Sequence, residues 1–142
     1  MCVTFKSIRH VQQPTSDTCI AACVAMVIGD KEIDAEFHTN CYINGAETIV
    51  NYLNRRDVKA WRPTYDPEQM PHRLGQGFIF LVQAPSLNYE NAMHMVVVDY
   101  RTEHPQVFDP NQSKDGLLAY EKIGHGVYDL RNWTVEAVVD AG

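Results

Sequence analysis

One stretch of this chain, residues 12–29, constrains the fold more than any other, because a polar run leads directly into a small apolar one. Residues 16–18 (Ser, Asp, Thr) each carry a short side-chain oxygen that can accept a free amide hydrogen in the first turn of a helix. Apolar residues then recur at helical spacing, and Gly29 can adopt the left-handed conformation that ends a helix. The pattern predicts a buried helix over about residues 18–28.

Cys19 lies in the first turn of this predicted helix. Unpaired amides and the positive end of the helix dipole stabilise an anion at that position. They therefore lower the pKa of a thiol there and favour the thiolate, which is the nucleophilic form. The other interpretation is that Cys19 is only a small core residue, since free cysteines are often buried for packing alone.

The size and charge of the chain indicate a single globular domain over residues 1–142. Hydrophobic residues make up 45% of the sequence and charged residues 21%, which is typical of a soluble protein with a substantial core. The net charge of −6, without any basic block, argues against nucleic-acid binding but permits a peptide or protein substrate. No apolar run approaches the roughly 18 residues of a membrane span, so we predict no membrane partner. No feature indicates an oligomeric state.

The first residues of the chain lack the apolar region of a signal peptide, so we expect cytoplasmic synthesis. A chain exported by a non-classical secretion system would look the same. The four cysteines, Cys2, Cys19, Cys23 and Cys41, are then expected to be free thiols. Cys19, Cys23 and Cys41 with His38 are the alternative, a zinc site, but their spacing is not that of a common zinc module. We predict no cofactor and no metal.

The remaining pattern predicts helices first and a sheet afterwards. A second amphipathic helix is expected over residues 46–56. Strands are expected over residues 58–62, 78–82, 93–100, 106–108 and 133–139. This order predicts an α+β protein whose N-terminal helices pack on a C-terminal antiparallel β-sheet.

A cysteine nucleophile needs a base, and histidine suits this role near neutral pH. The sequence offers six: His10, His38, His72, His94, His104 and His125. His94 opens a predicted strand directly after a polar loop, where the strand holds the ring firmly and solvent can still reach it. His125 lies between two glycines and is the second candidate. A half-buried structural histidine is the other interpretation of His94.

Two further groups complete a possible catalytic site. Asp109 ends the strand that follows His94, where adjacent antiparallel strands can bring the two together to orient the imidazole. Asp99 is a weaker rival at the other end of the histidine strand. The developing oxyanion needs donors, which the backbone amide of Cys19 and the side chain of Gln13 can supply, with Gln12 as a rival.

The order Gln13, Cys19, His94, Asp109 resembles papain-like cysteine peptidases of the compact bacterial type. It is most similar to the double-glycine leader peptidases that trim bacteriocin precursors, and also to small papain-like effector proteases of plant pathogens. The matching motifs are Gln-x5-Cys before an apolar helix, His-Met-Val-Val-Val at a strand start, and Phe-Asp-Pro at a strand end. They span roughly residues 11–111. Unlike the transporter-linked leader peptidases, this chain has no Gly-x4-Gly-Lys-Ser/Thr motif, so we expect it to act alone or in trans.

The resemblance implies a papain-like fold and a thiol hydrolase that cleaves a peptide or isopeptide bond through a Cys-His-Asp triad. In that reading Cys19 is the nucleophile, His94 the base and acid, Asp109 the orienting carboxylate and Gln13 an oxyanion donor. The alternatives are a papain-like glutamine deamidase or transferase, and an interaction module that is either catalytically idle or zinc-bound.

Overall fold

The computed structural model describes residues 7–63, 77–85, 93–103, 106–111 and 134–140. Its helices are α1 Cys19–Ile28, α2 Ala35–His38 and α3 Ile49–Arg55, and a π-helical turn, Thr39–Ile43, directly follows α2. Its strands are β1 Lys59–Trp61, β2 Phe78–Pro85, β3 Met93–Tyr100, β4 Gln106–Phe108 and β5 Thr134–Asp140. The sequence also indicates helical turns within residues 67–74 and 115–122 and a loop around His125, and all three lie outside the described residues.

The five strands form one antiparallel sheet in the order β1-β5-β2-β3-β4. The last strand in the chain, β5, therefore lies between β1 and β2. The helices precede most of the sheet in sequence, and α1 packs on β3. The predicted α+β class, with N-terminal helices on an antiparallel sheet, is confirmed.

Helix α1 has the limits that the sequence predicted. Residues 21–26 are all buried, because alanine, cysteine, valine and methionine side chains let the sheet approach closely on several sides. Gly29 ends the helix with φ 96°, in the left-handed region, and its backbone N–H donates to the carbonyl of Ala25 at 2.9 Å. Among the described residues no helix has both the length and the apolar character that crossing a bilayer requires.

The central strands are buried on both faces, as their continuous apolar runs predicted. Alternate residues of β2 and β3 point to opposite sides of the sheet. Ile79, Leu81, Met95 and Val97 pack with α1, whereas Phe80, Val82, Val96 and Val98 form a second cluster. The strand that carries His94 is thus fixed from both sides.

A polar network attaches the short helices. Asp34 caps α2 by accepting hydrogen bonds from the amides of Glu36 and Phe37, and its second carboxylate oxygen accepts from the Tyr52 hydroxyl at 2.8 Å. Arg56 donates to the same hydroxyl and to both oxygens of Asp30. The end of α3 is thereby tied to the segment that joins α1 to α2.

Two predicted limits were wrong. Helix α3 begins at Ile49 rather than at residue 46, because Thr48 is its N-cap and its hydroxyl accepts from the amide of Asn51 at 3.1 Å. Strand β2 continues past residue 82 to Pro85, because its pairing with β3 extends to the Pro85–Met93 pair.

Candidate active site

Cys19 is the first residue of α1, and no side chain caps the helix before it. Thr18 is the N-cap residue, but its hydroxyl donates to the carbonyl of Thr15 at 2.9 Å instead of accepting a helix amide. The amide of Thr15 donates to the same hydroxyl at 3.1 Å, which closes a tight turn before the helix. The first-turn amides are therefore left available to an anion at Cys19.

The Cys19 thiol is half-buried and acidic for a cysteine. Burial raises its pKa, but the neighbouring His94 ring and the backbone amides of Met95 and Ile20 lower it by more, so the pKa lies below its ordinary value. The Ile20 amide belongs to the uncapped first turn of α1. The surroundings thus favour the thiolate.

His94 and Asp109 form a buried pair. Their atoms Nε2 and Oδ1 lie 2.6 Å apart, and the same Oδ1 accepts the backbone amide of Asn111 at 2.8 Å. Burial alone would lower the pKa of His94, but the hydrogen bond to Asp109 and the neighbouring Cys19 raise it to about 9. The imidazole therefore holds a proton under conditions in which a free histidine would lose it.

The orientation of the His94 ring decides its roles. Because Nε2 faces Asp109, the other ring nitrogen, Nδ1, is left for Cys19. A carboxylate only accepts hydrogen bonds, so Nε2 carries a hydrogen and Nδ1 is the atom that exchanges a proton with the thiol. The structure thus places the Cys19 side chain next to His94, whose ring is hydrogen-bonded to Asp109.

Gln13 lies inside the turn that precedes α1. Its side chain is 8% exposed and donates from Nε2 to the carbonyl of Thr15 at 2.7 Å. A primary amide nitrogen has two hydrogens, so one remains uncommitted. Its oxygen, Oε1, is buried and has no hydrogen-bond partner among the described residues. The reverse amide orientation would place Oε1 against the Thr15 carbonyl, which is also an acceptor, so the contact fixes the orientation.

The rival residues are occupied elsewhere. Gln12 is exposed, and its side chain donates to Asn111 Oδ1 at 3.4 Å. Asp99 binds Arg101 through both carboxylate oxygens at 2.9 Å. His38 stacks on Tyr42 and lies 3.6 Å from an oxygen of Asp17. His72, His104 and His125 lie outside the described residues, as does Cys2.

Cys23 lies on α1, one turn after Cys19, and is one of the four ligands of the alternative zinc site. Cys23 is fully buried, and its thiol donates to the carbonyl of Met95 at 3.3 Å. Within the described ranges, which include Cys19, Cys23, His38 and Cys41, no three possible ligands lie close enough together to hold a metal ion. The geometry of these four residues therefore lends the zinc alternative no support.

A cavity of about 570 Å³ opens at the other end of α1. It is bounded by Met26, Gly29, Ile79 and Arg101 among others, and by none of the four candidate residues. Among the described residues its lining includes neither a cysteine nor a histidine. The group of Cys19, His94 and Asp109 at the start of α1, rather than this cavity, is therefore the candidate for an active site.

Sequence reasoning missed one contact of the site. His10 Nε2 lies 2.7 Å from the backbone carbonyl of Asp109, although 99 residues separate the two. Nothing in the local sequence around His10 indicates this contact, since it joins an irregular segment near the N-terminus to the end of β4.

In a comparison with models of known protein families the chain matches none, and no curated protein matches it either. The roles of Gln13, Cys19, His94 and Asp109 therefore have to be argued from their geometry and their motifs.

Proposed function

We propose that this protein is a papain-like cysteine peptidase that hydrolyses an amide bond of a peptide or protein. The observation that supports this most is the arrangement of Cys19, His94 and Asp109. His94 is hydrogen-bonded to Asp109 and lies next to Cys19, and the pKa of the thiol is lowered while that of the imidazole is raised. These opposite shifts are what a thiolate–imidazolium pair requires. Purely structural pairs also perturb pKa values, but Cys19 is half-buried at the start of a helix rather than enclosed in the core as Cys23 is.

The proposed reaction starts from the Cys19 thiolate and the protonated His94. The sulfur attacks the amide carbon and forms a C–S bond, and the carbonyl oxygen takes the negative charge. The C–N bond then breaks, and the leaving amine takes the proton from His94 Nδ1. Water attacks the resulting thioester and gives a proton to His94. The C–S bond breaks, the acid leaves, and the thiolate–imidazolium pair is restored.

The proposed oxyanion donors are the backbone amide of Cys19 and the second hydrogen of Gln13 Nε2. Leaving a buried acceptor unpaired costs about 1–3 kcal/mol, and Gln13 Oε1 is such an acceptor. A residue with a purely structural role would be expected to avoid that cost. The unpaired oxygen is explained if the Gln13 side chain is held in place for its N–H groups.

The papain-like fold is part of the proposal. Two features support it: the order of Gln13, Cys19, His94 and Asp109 along the chain, and the packing of the cysteine helix on the strand that the histidine opens. The His94–Asp109 contact joins the start of β3 to the end of β4, which are paired antiparallel strands.

The test uses a native cell lysate and quantitative mass spectrometry of protein N-termini. We expect new N-termini after incubation with the wild-type protein and with a Cys23→Ala control, and none with Cys19→Ala or His94→Ala. Conversion of glutamine or asparagine side chains to acids without new termini would identify a deamidase instead. No change that depends on Cys19 would contradict an enzymatic role, and stoichiometric zinc in the purified protein would favour the zinc-bound module.

A further inference from the structure

We propose that His10 is a positioning residue that fixes the Asp109 carboxylate against the His94 ring. This inference rests on the proposed function of the site. His10 touches neither the sulfur nor the substrate in this proposal, and it acts only through Asp109.

The contact itself is short and its chemistry is unambiguous. His10 Nε2 and the backbone carbonyl oxygen of Asp109 are 2.7 Å apart. A carbonyl oxygen can only accept, so the His10 nitrogen carries the hydrogen and donates it. The half-buried ring of His10 is therefore held as a donor aimed at the residue that orients His94.

The neighbours of His10 also hydrogen-bond to residues 109–111, the Asp109 turn. The backbone amide of Gln13 donates to the carbonyl of Pro110 at 2.8 Å, and Gln12 Nε2 donates to Asn111 Oδ1 at 3.4 Å. Val11 lies between these residues and is buried in the core beside α1. Residues 10–13 thus lie along residues 109–111, and the buried side chain of Val11 fixes them to the core.

The Asp109 turn needs such outside donors because the sheet no longer supports it. The pairing of β3 and β4 ends with Val97 opposite Phe108. Pro110 has no amide hydrogen, so it cannot extend the ladder. The carbonyls of Asp109 and Pro110 are instead met by His10 and by the Gln13 amide.

The position of this turn matters because hydrogen-bond strength depends steeply on distance and angle. The 2.6 Å contact between Asp109 and His94 is short, and a small displacement of Asp109 weakens it. Gln13 belongs to the same segment as His10, so residues 10–13 position both the orienting carboxylate of Asp109 and the proposed oxyanion donor.

The test compares two variants that differ in reach by one methylene group. In His10→Gln the amide nitrogen occupies about the position of Nε2 and can still donate to the Asp109 carbonyl. In His10→Asn the amide is too short to reach it. The readout is the pKa of His94 from an NMR titration of its ring protons, in the Cys19→Ala background. Asp109 is then the remaining titratable group that hydrogen-bonds His94.

We expect His10→Asn to lower the pKa of His94 by about one pH unit, because a displaced carboxylate stabilises the imidazolium less. His10→Gln should leave it close to that of the parent, and His10→Asn should have no further effect once Asp109→Asn is present. An unchanged His94 pKa in His10→Asn would overturn the proposal, even if urea unfolding shows that the variant is less stable. So would an equal shift in the Asp109→Asn background.

This readout needs no substrate. If His10→Asn shifts the titration but the lysate shows no cleavage, the positioning role stands and the peptidase proposal fails. If cleavage is observed and the titration does not move, the peptidase proposal stands and the positioning role fails.

Discussion

Cys19 and Cys23 lie one turn apart on α1, and both contact Met95 of β3, yet their chemistry differs. Cys19 is half-buried, and the Met95 amide and His94 contribute to lowering its pKa. Cys23 is fully buried and donates to the Met95 carbonyl at 3.3 Å. Its pKa is raised well above the ordinary value by burial, and the negative charges of Cys19 and Asp109 add to the effect.

The difference shows that burial does not decide which of the two thiols becomes the thiolate. Burial raises the pKa of both thiols, but only Cys19 also has His94 and the uncapped first-turn amides as donors. One helical turn deeper, those amides are used inside the helix, and the charges of described residues that act on the Cys23 thiol are negative. We therefore expect the same residue type to be reactive at the helix start and inert inside it.

The largest expected effect comes from exchanging the two cysteines for alanine. Cys19→Ala should abolish cleavage in the lysate assay while leaving the fold intact, since alanine is a good helix former. Cys23→Ala should remain active. The reverse result, an active Cys19→Ala and an inactive Cys23→Ala, would contradict the assignment of Cys19 as the reactive thiol.

The next largest effect is expected from the base. His94→Ala should lower the rate of cleavage by several orders of magnitude, because it removes both the proton acceptor and the group that stabilises the thiolate. His125→Ala is the control and should cost far less. Equal losses in the two variants, measured on the same cleavage site, would show that the base has been misplaced.

A smaller effect is expected from the oxyanion donor. Gln13→Ala should lower the rate by about 10²–10³-fold, the usual effect of removing one such donor. Alkylation of Cys19 should persist, because His94 and the helix amides remain in place. A near wild-type rate, or a larger loss in Gln12→Ala, would place the donor elsewhere.

The smallest effect concerns stability rather than rate. Cys23→Ala removes a fully buried sulfur and its hydrogen bond to Met95, so we expect a loss of about 1–2 kcal/mol in the free energy of unfolding. Cys19→Ala should lose less, because its side chain is partly exposed. Urea unfolding measures both, and a larger loss in Cys19→Ala would reverse the assignment of structural and reactive thiols.

Local patterns were sufficient to predict most elements around the site. Helix α1 is bounded by a polar turn and a glycine, β3 by a polar loop, and β4 by Asp-Pro, so their limits follow from capping and from proline chemistry. The four candidate residues lie at these boundaries, which is why sequence reasoning selected them. The meeting of His94 and Asp109 followed from one further assumption, that β3 and β4 are antiparallel neighbours.

The features that could not be predicted depend on distant residues. The placement of β5 between β1 and β2 is decided by tertiary packing, and no local period encodes it. The π-helical turn over Thr39–Ile43 follows α2 without a cap residue to mark it. The contact of His10 with Asp109 joins residues 99 positions apart, and neither residue indicates the other.

The pH dependence of Cys19 carboxymethylation by iodoacetate tests the thiolate–imidazolium pair of Cys19 and His94 most directly. Mass spectrometry quantifies the modification of each thiol. The rate should rise as Cys19 loses its proton, at a pH below the ordinary pKa of a thiol. It should fall again near pH 9, where His94 loses the proton that attracts the anionic reagent. Cys41, whose pKa is raised by burial and by Glu47, should react only at higher pH. A single rise for Cys19 in parallel with Cys41, unchanged by His94→Ala, would contradict the thiolate–imidazolium pair.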